Sequence, residues 1–153
     1  MANRRDEVLA YLAGHHVMTL ATHGHLGPWA AAVFYVNDGF SFTFLSAPHS
    51  RHSSDLAANP RAAAAIHENH PDWPDIKGIQ LEGHVQKLSG PDRIKAMARY
   101  ARKFPVVRPD AAPALIQAAL GRMAWYQLAA QRCLFIDNSM GFGHRDEVPL
   151  TDS

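Results

Sequence analysis

The sequence predicts a mainly β domain with peripheral helices, of the α+β class, built as a small closed or split β-barrel. Six or seven segments read as strands, and short turns rich in Gly, Pro, Asn and Asp separate them. One helical pattern opens the chain, a short one interrupts the strands, and two more occur late. Many short strands with helices inserted at few places favour a barrel whose helices lie outside it.

The N-terminal third predicts one helix followed by three strands. The helix covers residues 3–14, because Asn3 can cap it, Val8, Leu9 and Leu12 share one face, and Gly14 ends it. The strands are predicted at residues 15–22, 29–36 and 40–47, with turns at 23–28 and 37–39 between them. The last of them alternates aromatic residues with small polar ones, as a strand with one buried face does.

A short helix and an ambiguous segment come next. The helix covers residues 50–58 and ends before Asn59-Pro60, since a residue that precedes proline is pushed out of the α region. Residues 61–68 leave two interpretations open. Their alanines favour a helix, but their length and their position just after a proline favour a buried strand.

The C-terminal half predicts a strand, two helices and two further strands. The strand at residues 77–88 alternates apolar and polar residues, and Gly83 within it indicates a bulge or the close approach of another part of the chain. Pro91 suits the first turn of the first helix. The helices are expected at residues 90–104 and 111–121, and the strands at 122–129 and 132–138.

Length and composition limit the classes of protein that the chain can be. Its 153 residues fit one domain. We expect this domain at residues 1–143 and a polar C-terminal tail at residues 144–153. The net charge of +1 argues against a nucleic-acid groove or an electrostatic membrane anchor. No run reaches membrane-spanning length and the N-terminus lacks a signal-peptide pattern, so we expect a cytoplasmic protein. The single cysteine, Cys133, lies in an apolar run and is expected to be a small buried hydrophobe.

Residues 50–53 are the strongest candidate for a binding site. A helix N-terminus presents free backbone N–H groups and a positive dipole end, and Arg51 in the first turn adds a cation, so together they suit a phosphate. The alternative is that Ser50 or Ser53 only caps the helix and Arg51 is solvated. The pattern by itself leaves both interpretations open.

Other catalytic and metal-binding patterns are weak or missing. Ten histidines form several close pairs, but "HENH" at residues 67–70 is one residue short of the H-E-x-x-H spacing, so we predict no metal site. The sequence contains no G-x-S-x-G element of a serine hydrolase, no Walker motif and no Rossmann glycine pattern.

The order of the segments over about residues 5–143 resembles the FMN-binding split barrels of the pyridoxamine-5′-phosphate-oxidase-like family. The shared features are a serine and a basic residue that open a helix ending in Asn-Pro, and a later strand with a central glycine. In this chain they are carried by the strings "VMTLAT", "WAAAVFYV", "FSFTFLSA", "SRHSSDLAANPRAAAAI" and "IQLEGHV". Two further strings, "ARKFPVVR" and "FIDNSMGFG", resemble the YhbP-like bacterial branch of that family.

The resemblance implies a homodimer in which two barrels pack together and FMN lies in a groove at their interface. Ser50 and Arg51 would contact the phosphate, with His52 or Ser53 adjacent. The remaining implied contacts with the cofactor are Ala30, Ala31 and Ala32 under the isoalloxazine, Gln80 and Glu82 at the ring edge or phosphate, and Trp125 and Phe142 from the other subunit.

The implied activity is that of a flavin-dependent oxidoreductase, with NADH or NADPH as electron donor and a small unidentified acceptor. True pyridoxamine oxidases carry extra arginine and histidine residues near the C-terminus, and this chain ends instead in "HRDEVPLTDS". The resemblance therefore supports vitamin B6 oxidation less than it supports FMN binding. Two alternatives stay open: a flavin carrier or redox sensor without a substrate, and a haem-binding or haem-degrading protein on the same barrel.

Overall fold

The computed structural model describes residues 3–152, which form an antiparallel sheet and four α-helices. The strands are β1 Val17–Gly24, β2 Gly27–Phe34, β3 Val36–Asp38, β4 Ser41–Ser46, β5 Arg61–His67, β6 Lys77–Lys87, β7 Ala124–Asp137 and β8 Arg145–Glu147. The helices are α1 Arg4–Gly14, α2 Arg51–Ala58, α3 Gly90–Lys103 and α4 Ala114–Gly121. This confirms the predicted mainly β architecture with peripheral helices.

The strands lie in the order β2-β1-β5-β6-β7-β4-β3, and β8 pairs with β7. The sheet curls until β2 approaches β4, so it forms a half-barrel around one core. The largest fully buried side chains inside it include Tyr35, Phe42, Phe44 and Phe135. Cys133 lies in the same core, where burial raises the pKa of its thiol to about 12.

Strand β5 settles the segment that the sequence left ambiguous. Residues Arg61–His67 pair with β1 on one side and β6 on the other. Both edges of this segment therefore have backbone partners, which outweighs the helix propensity of its alanines. Ala62 and Ala64 point into the barrel, while Ala63 and Ala65 lie on the outer face.

The last two predicted strands are a single strand, β7, so the prediction of two was wrong. Opposite β6 the register changes between Glu82 and Gly83, and Gln131 is left without a partner, so the strand bends at a bulge and continues. The bulge near Gly83 was predicted, but its extra residue lies in β7. Gly83 is required because a Cβ atom there would lie 2.0 Å from the carbonyl oxygen of Ala129.

A second, smaller apolar cluster lies outside the half-barrel, under α3. It contains Val36, Leu88, Ala96, Tyr100 and Trp125. The sheet also continues beyond the boundary that the sequence placed at residue 143. Arg145–Glu147 add β8 to β7, Val148 is 2% exposed in the core, and Leu150 packs against that core. Among residues 3–152, no helix is both long and apolar enough to cross a membrane.

Replacement of Gly83 by alanine should destabilise the fold strongly. The added methyl group would collide with backbone atoms of β7, which cannot move aside as a side chain would. We expect Gly83→Ala to lower the free energy of unfolding by about 3 kcal/mol, measured by urea denaturation. The control is Gly14→Ala, since a Cβ at Gly14 meets nothing within 4 Å. Equal stabilities of the two variants would contradict this account of the bulge.

Candidate functional site

Four side chains at the start of α2 form a polar cluster, which we call the hydroxyl cluster: Ser46, Ser50, His52 and Ser53. Ser50 caps the helix, because its Oγ accepts from the Ser53 backbone N–H at 3.3 Å and donates to Ser53 Oγ at 2.9 Å. His52 Nε2 forms a hydrogen bond with Ser46 Oγ and lies 3.3 Å from Ser50 Oγ. Since His52 and Ser53 are 9% and 3% exposed, these two side chains face the protein interior.

Burial lowers the pKa of His52 below its ordinary value of 6.5, and the nearby Asp55 carboxylate opposes this in part. The imidazole is therefore neutral at pH 7 and adds no positive charge to the N-terminus of α2. Asp55 is also buried, and it accepts a hydrogen bond from Thr22 Oγ1 at 2.8 Å. Gly24 leaves room for this carboxylate, because a Cβ at Gly24 would lie 2.2 Å from Asp55 Oδ1.

Arg51 extends from the opposite side of α2. Its guanidinium lies 4.2 Å from the centre of the Trp29 ring, and one Nη donates to the Leu26 carbonyl oxygen at 3.2 Å. In the described part of the chain, the Arg51 Nε and the backbone N–H groups of Arg51 and His52 have no hydrogen-bond partner. A fixed guanidinium and two free amides at the positive end of a helix are the groups that bind an oxyanion.

Small residues on the outside of the sheet form what we call the open face: Thr19, Ala21, Ala30, Ala32, Ala63 and Ala65, bordered by Gln80 and Glu82. The strand register aligns them in two rows, Ala30-Ala21-Ala63-Glu82 and Ala32-Thr19-Ala65-Gln80. At about 4.8 Å between strands, each row spans about 14 Å from β2 to β6. Because their side chains are short, the alanine part of this surface is flat.

The structure divides the predicted alanine run of β2. Ala30 and Ala32 lie on the open face, whereas Ala31 pairs with Leu20 and shares the orientation of the core residues of β1. Consecutive residues of a strand point to opposite faces, so the three alanines cannot all lie under one ring. Gln80 and Glu82 are on the open face, and the Gln80 amide oxygen accepts from Arg145 Nε at 3.4 Å.

A groove of about 310 Å³ opens at one end of the open face. It is lined by Ala21, Ala63 and Glu82 of that face and also by His23 and Arg61, which are exposed. Sequence reasoning missed these contributions of β1 and β5, as well as the contact between Trp29 and Arg51. The repeated small residues at alternate positions of "TLATH" and "RAAAAIH" were the available signal.

The two remaining predicted contacts lie elsewhere. Trp125 is 3% exposed and packs edge-on against Tyr100 at 5.3 Å beneath α3, so its side chain has almost no surface to offer a ligand. Phe142 is 83% exposed and contacts Trp73 edge-on at 5.5 Å. Within one chain, neither residue belongs to the hydroxyl cluster or the open face.

His52 should make the stability of the protein depend on pH. The unfolded chain binds a proton with the ordinary histidine pKa of 6.5, and the folded chain resists protonation of the buried ring. Wild-type stability should therefore fall as the pH drops below about 6.5. Urea denaturation at several pH values should show a smaller fall for His52→Gln. The control His25→Gln changes an exposed residue of a turn and should keep the wild-type slope. Parallel slopes for wild type and His52→Gln would contradict the inferred burial.

Comparison with known sequences places these features in one family. The pyridoxamine 5′-phosphate oxidase family matches residues 5–137. A UPF0306 protein of Photorhabdus laumondii is 36% identical over 137 residues, which cover 88% of this chain and 88% of that protein. A UPF0306 protein of Yersinia pseudotuberculosis is 31% identical over 148 residues, covering 94% and 93%.

Solved structures share the fold at lower identity. A haem-binding protein from Mycobacterium smegmatis superposes with a TM-score of 0.77 at 22% identity over 98% of this chain, which spans 59% of that protein. A putative pyridoxamine 5′-phosphate oxidase from Listeria innocua gives 0.66 at 15% identity, over 87% of this chain and 98% of that one. An FAD-binding protein from Mesorhizobium loti gives 0.62 at 17% identity, over 83% and 89%. With its half-barrel and the match over most of its length, the chain belongs to the pyridoxamine 5′-phosphate oxidase family of split barrels.

Proposed function

We propose that this protein is an FMN-binding homodimer that acts as a flavin-dependent oxidoreductase on a small acceptor. The observation that carries the proposal is the position of Arg51. Its guanidinium is held over Trp29, and the first turn of the same helix has two backbone N–H groups that have no partner among residues 3–152.

Arg51 and the N-terminus of α2 would hold the cofactor phosphate. The stack on Trp29 and the bond to Leu26 fix the orientation of the guanidinium, while other N–H groups of the side chain are left to donate to phosphate oxygens. The free amides of Arg51 and His52 add two neutral donors at the same end of the helix. Ser50, His52 and Ser53 support this seat from behind, by fixing the first turn.

The open face would receive the ring system and the second subunit. Ala30 and Ala32 offer a flat apolar surface, and Gln80 and Glu82 place polar groups at its far edge. The small side chains let another backbone or a planar ring come close without leaving voids. A second barrel packed on this face would also close the groove from solvent and bring the exposed Phe142 of its own chain toward the site.

When bound, a flavin supplies hydride or electron transfer between a reduced nicotinamide and an acceptor. The residues of this chain bind the phosphate, support the ring and exclude water. The fold similarity to an FAD-binding protein from Mesorhizobium loti supports a flavin on this barrel.

Haem is the second candidate, because a structure with the same fold is described as a haem-binding protein. A cavity of about 540 Å³, lined in part by His67, His70, Ile76 and Ile136, combines imidazoles with apolar walls. An absorbance spectrum of the purified protein after addition of FMN or haemin separates the two candidates. Flavin bands that stay with the protein through gel filtration support the proposal, and a Soret band with no retained flavin overturns it. Oxidation of NADH or NADPH by the flavin-loaded protein then separates an enzyme from a carrier or sensor.

Removal of the Arg51 side chain should weaken FMN binding. The loss of charge-assisted hydrogen bonds to a phosphate should cost about 1.5–3 kcal/mol in binding free energy for Arg51→Ala. Quenching of flavin fluorescence in a titration measures this. Arg102→Ala is the control, because Arg102 lies exposed in the last turn of α3. Wild-type affinity in Arg51→Ala would place the phosphate elsewhere.

The open face should mediate dimer formation. A long charged side chain in its centre would hold two flat surfaces apart, so we expect Ala63→Arg to turn the dimer into a monomer at micromolar concentration. Light scattering coupled to gel filtration measures the mass. Ala98→Arg, on the exposed side of α3, should leave the dimer intact. A dimeric Ala63→Arg variant would show that the subunits meet through another surface.

A further inference from the structure

A cavity of about 480 Å³ lies on the side of α2 that faces away from Arg51. It is bounded by the helix, by the loop that precedes it, and by the adjoining ends of β6 and β7. Arg51, Trp29 and the residues of the open face do not line it. Its size falls in the range of cavities that hold small molecules. We call it the Tyr126 pocket.

Tyr126 supplies a hydroxyl group that has no hydrogen-bond partner among residues 3–152. The residue lines the pocket and is only 6% exposed, and its ring is fixed by stacking on Phe44 at 5.3 Å between ring centres. Within the described residues, its hydroxyl makes no hydrogen bond to another side chain or to the backbone. The hydroxyl oxygen is not among the fully buried unpaired polar atoms of residues 3–152, so it keeps accessible surface and is free to form a hydrogen bond with a ligand in the pocket.

The charge of the lining favours an anion. Lys87 and His49 line the pocket, and no aspartate or glutamate does. The Lys87 ammonium forms no salt bridge with any carboxylate in residues 3–152. Leu56 and Val85 form an apolar wall, which suits a ligand that carries an uncharged body as well as its anionic group.

We propose that the Tyr126 pocket binds a small organic anion, a carboxylate or a phosphate monoester. The anionic group is held by Lys87 and by hydrogen bonds from Tyr126 and His49, while the apolar body packs against Leu56 and Val85. The pocket shares Ser53 with the hydroxyl cluster, but α2 separates its other lining residues from Arg51 and the open face, so the site does not require the flavin. The protein would then have a second ligand site, and both sites would lie against helix α2.

The test uses the full chain without added flavin and three probes: benzoate, phenyl phosphate and benzyl alcohol. Probe binding is followed by isothermal titration calorimetry and by shifts of backbone amide signals in NMR spectra. We expect benzoate or phenyl phosphate to shift the signals of Ser54 and Lys87, and the probe that binds more tightly identifies the class of anion. Benzyl alcohol, which has the same ring and no charge, should bind at least about tenfold more weakly.

Two substitutions locate the site. Lys87→Gln should lower the affinity for the anionic probe by about tenfold or more. Tyr126→Phe, which keeps the stacked ring, should lower it by about fivefold. Lys95→Gln on α3 is the matched control and should bind the probes as the wild type does. The proposal is overturned if neither anion shifts these signals, or if Lys87→Gln leaves the affinity unchanged. Weaker binding in Arg51→Ala with full binding in Lys87→Gln would also overturn it, since the probe would then occupy the proposed flavin site. A flavin titration of Lys87→Gln does not bear on whether the Tyr126 pocket binds an anion. It tests only the proposed flavin binding.

Discussion

The alternation of side chains between the two faces of the sheet is the constraint on which the rest of the structure depends. The inward positions of β1, β5 and β6 carry residues such as Met18, Leu20, Ile66, Ile79 and Leu81, which fill the half-barrel. The outward positions of the same strands carry alanine, threonine and polar residues such as Gln80 and Glu82. One face therefore supplies the stability of the fold, because apolar area is removed from water there. The other face is left flat and available for association.

Helix α2 likewise has one side that faces the core and another that faces outward. His52, Ser53, Asp55 and Leu56 point toward the barrel and are buried, whereas Arg51 projects toward Trp29. With about 100° between consecutive residues, an eight-residue helix can present one side to the core and still expose groups on either flank. The proposed phosphate seat and the Tyr126 pocket lie on those two flanks. Ser50 caps the helix between them and fixes its first turn for both.

The buried polar groups beneath α2 explain why the helix can sit so close to the sheet. Asp55 approaches β1 where Gly24 has no side chain, and Thr22 donates a hydrogen bond to its carboxylate. The hydroxyl cluster pairs the ring of His52 with Ser46 of β4. Buried polar groups of this kind are tolerated because they satisfy one another, and they hold the helix in a single orientation.

The sequence by itself determined most of the helices and strands in their order, a helix cap within residues 50–53, the close approach at Gly83 and the family, since each depends on local chemistry or on a string of neighbouring residues. Tertiary structure alone decided how the candidate site is composed. Because side chains alternate along β2, Ala31 faces the core and not the open face. The strand register places Ala21 and Ala63 on the open face, and Trp125 is buried under α3. The ambiguous segment at Arg61–His67 became a strand only because β1 and β6 flank it. Pairing partners and burial are set by residues far apart in the chain, so no local pattern could have supplied them.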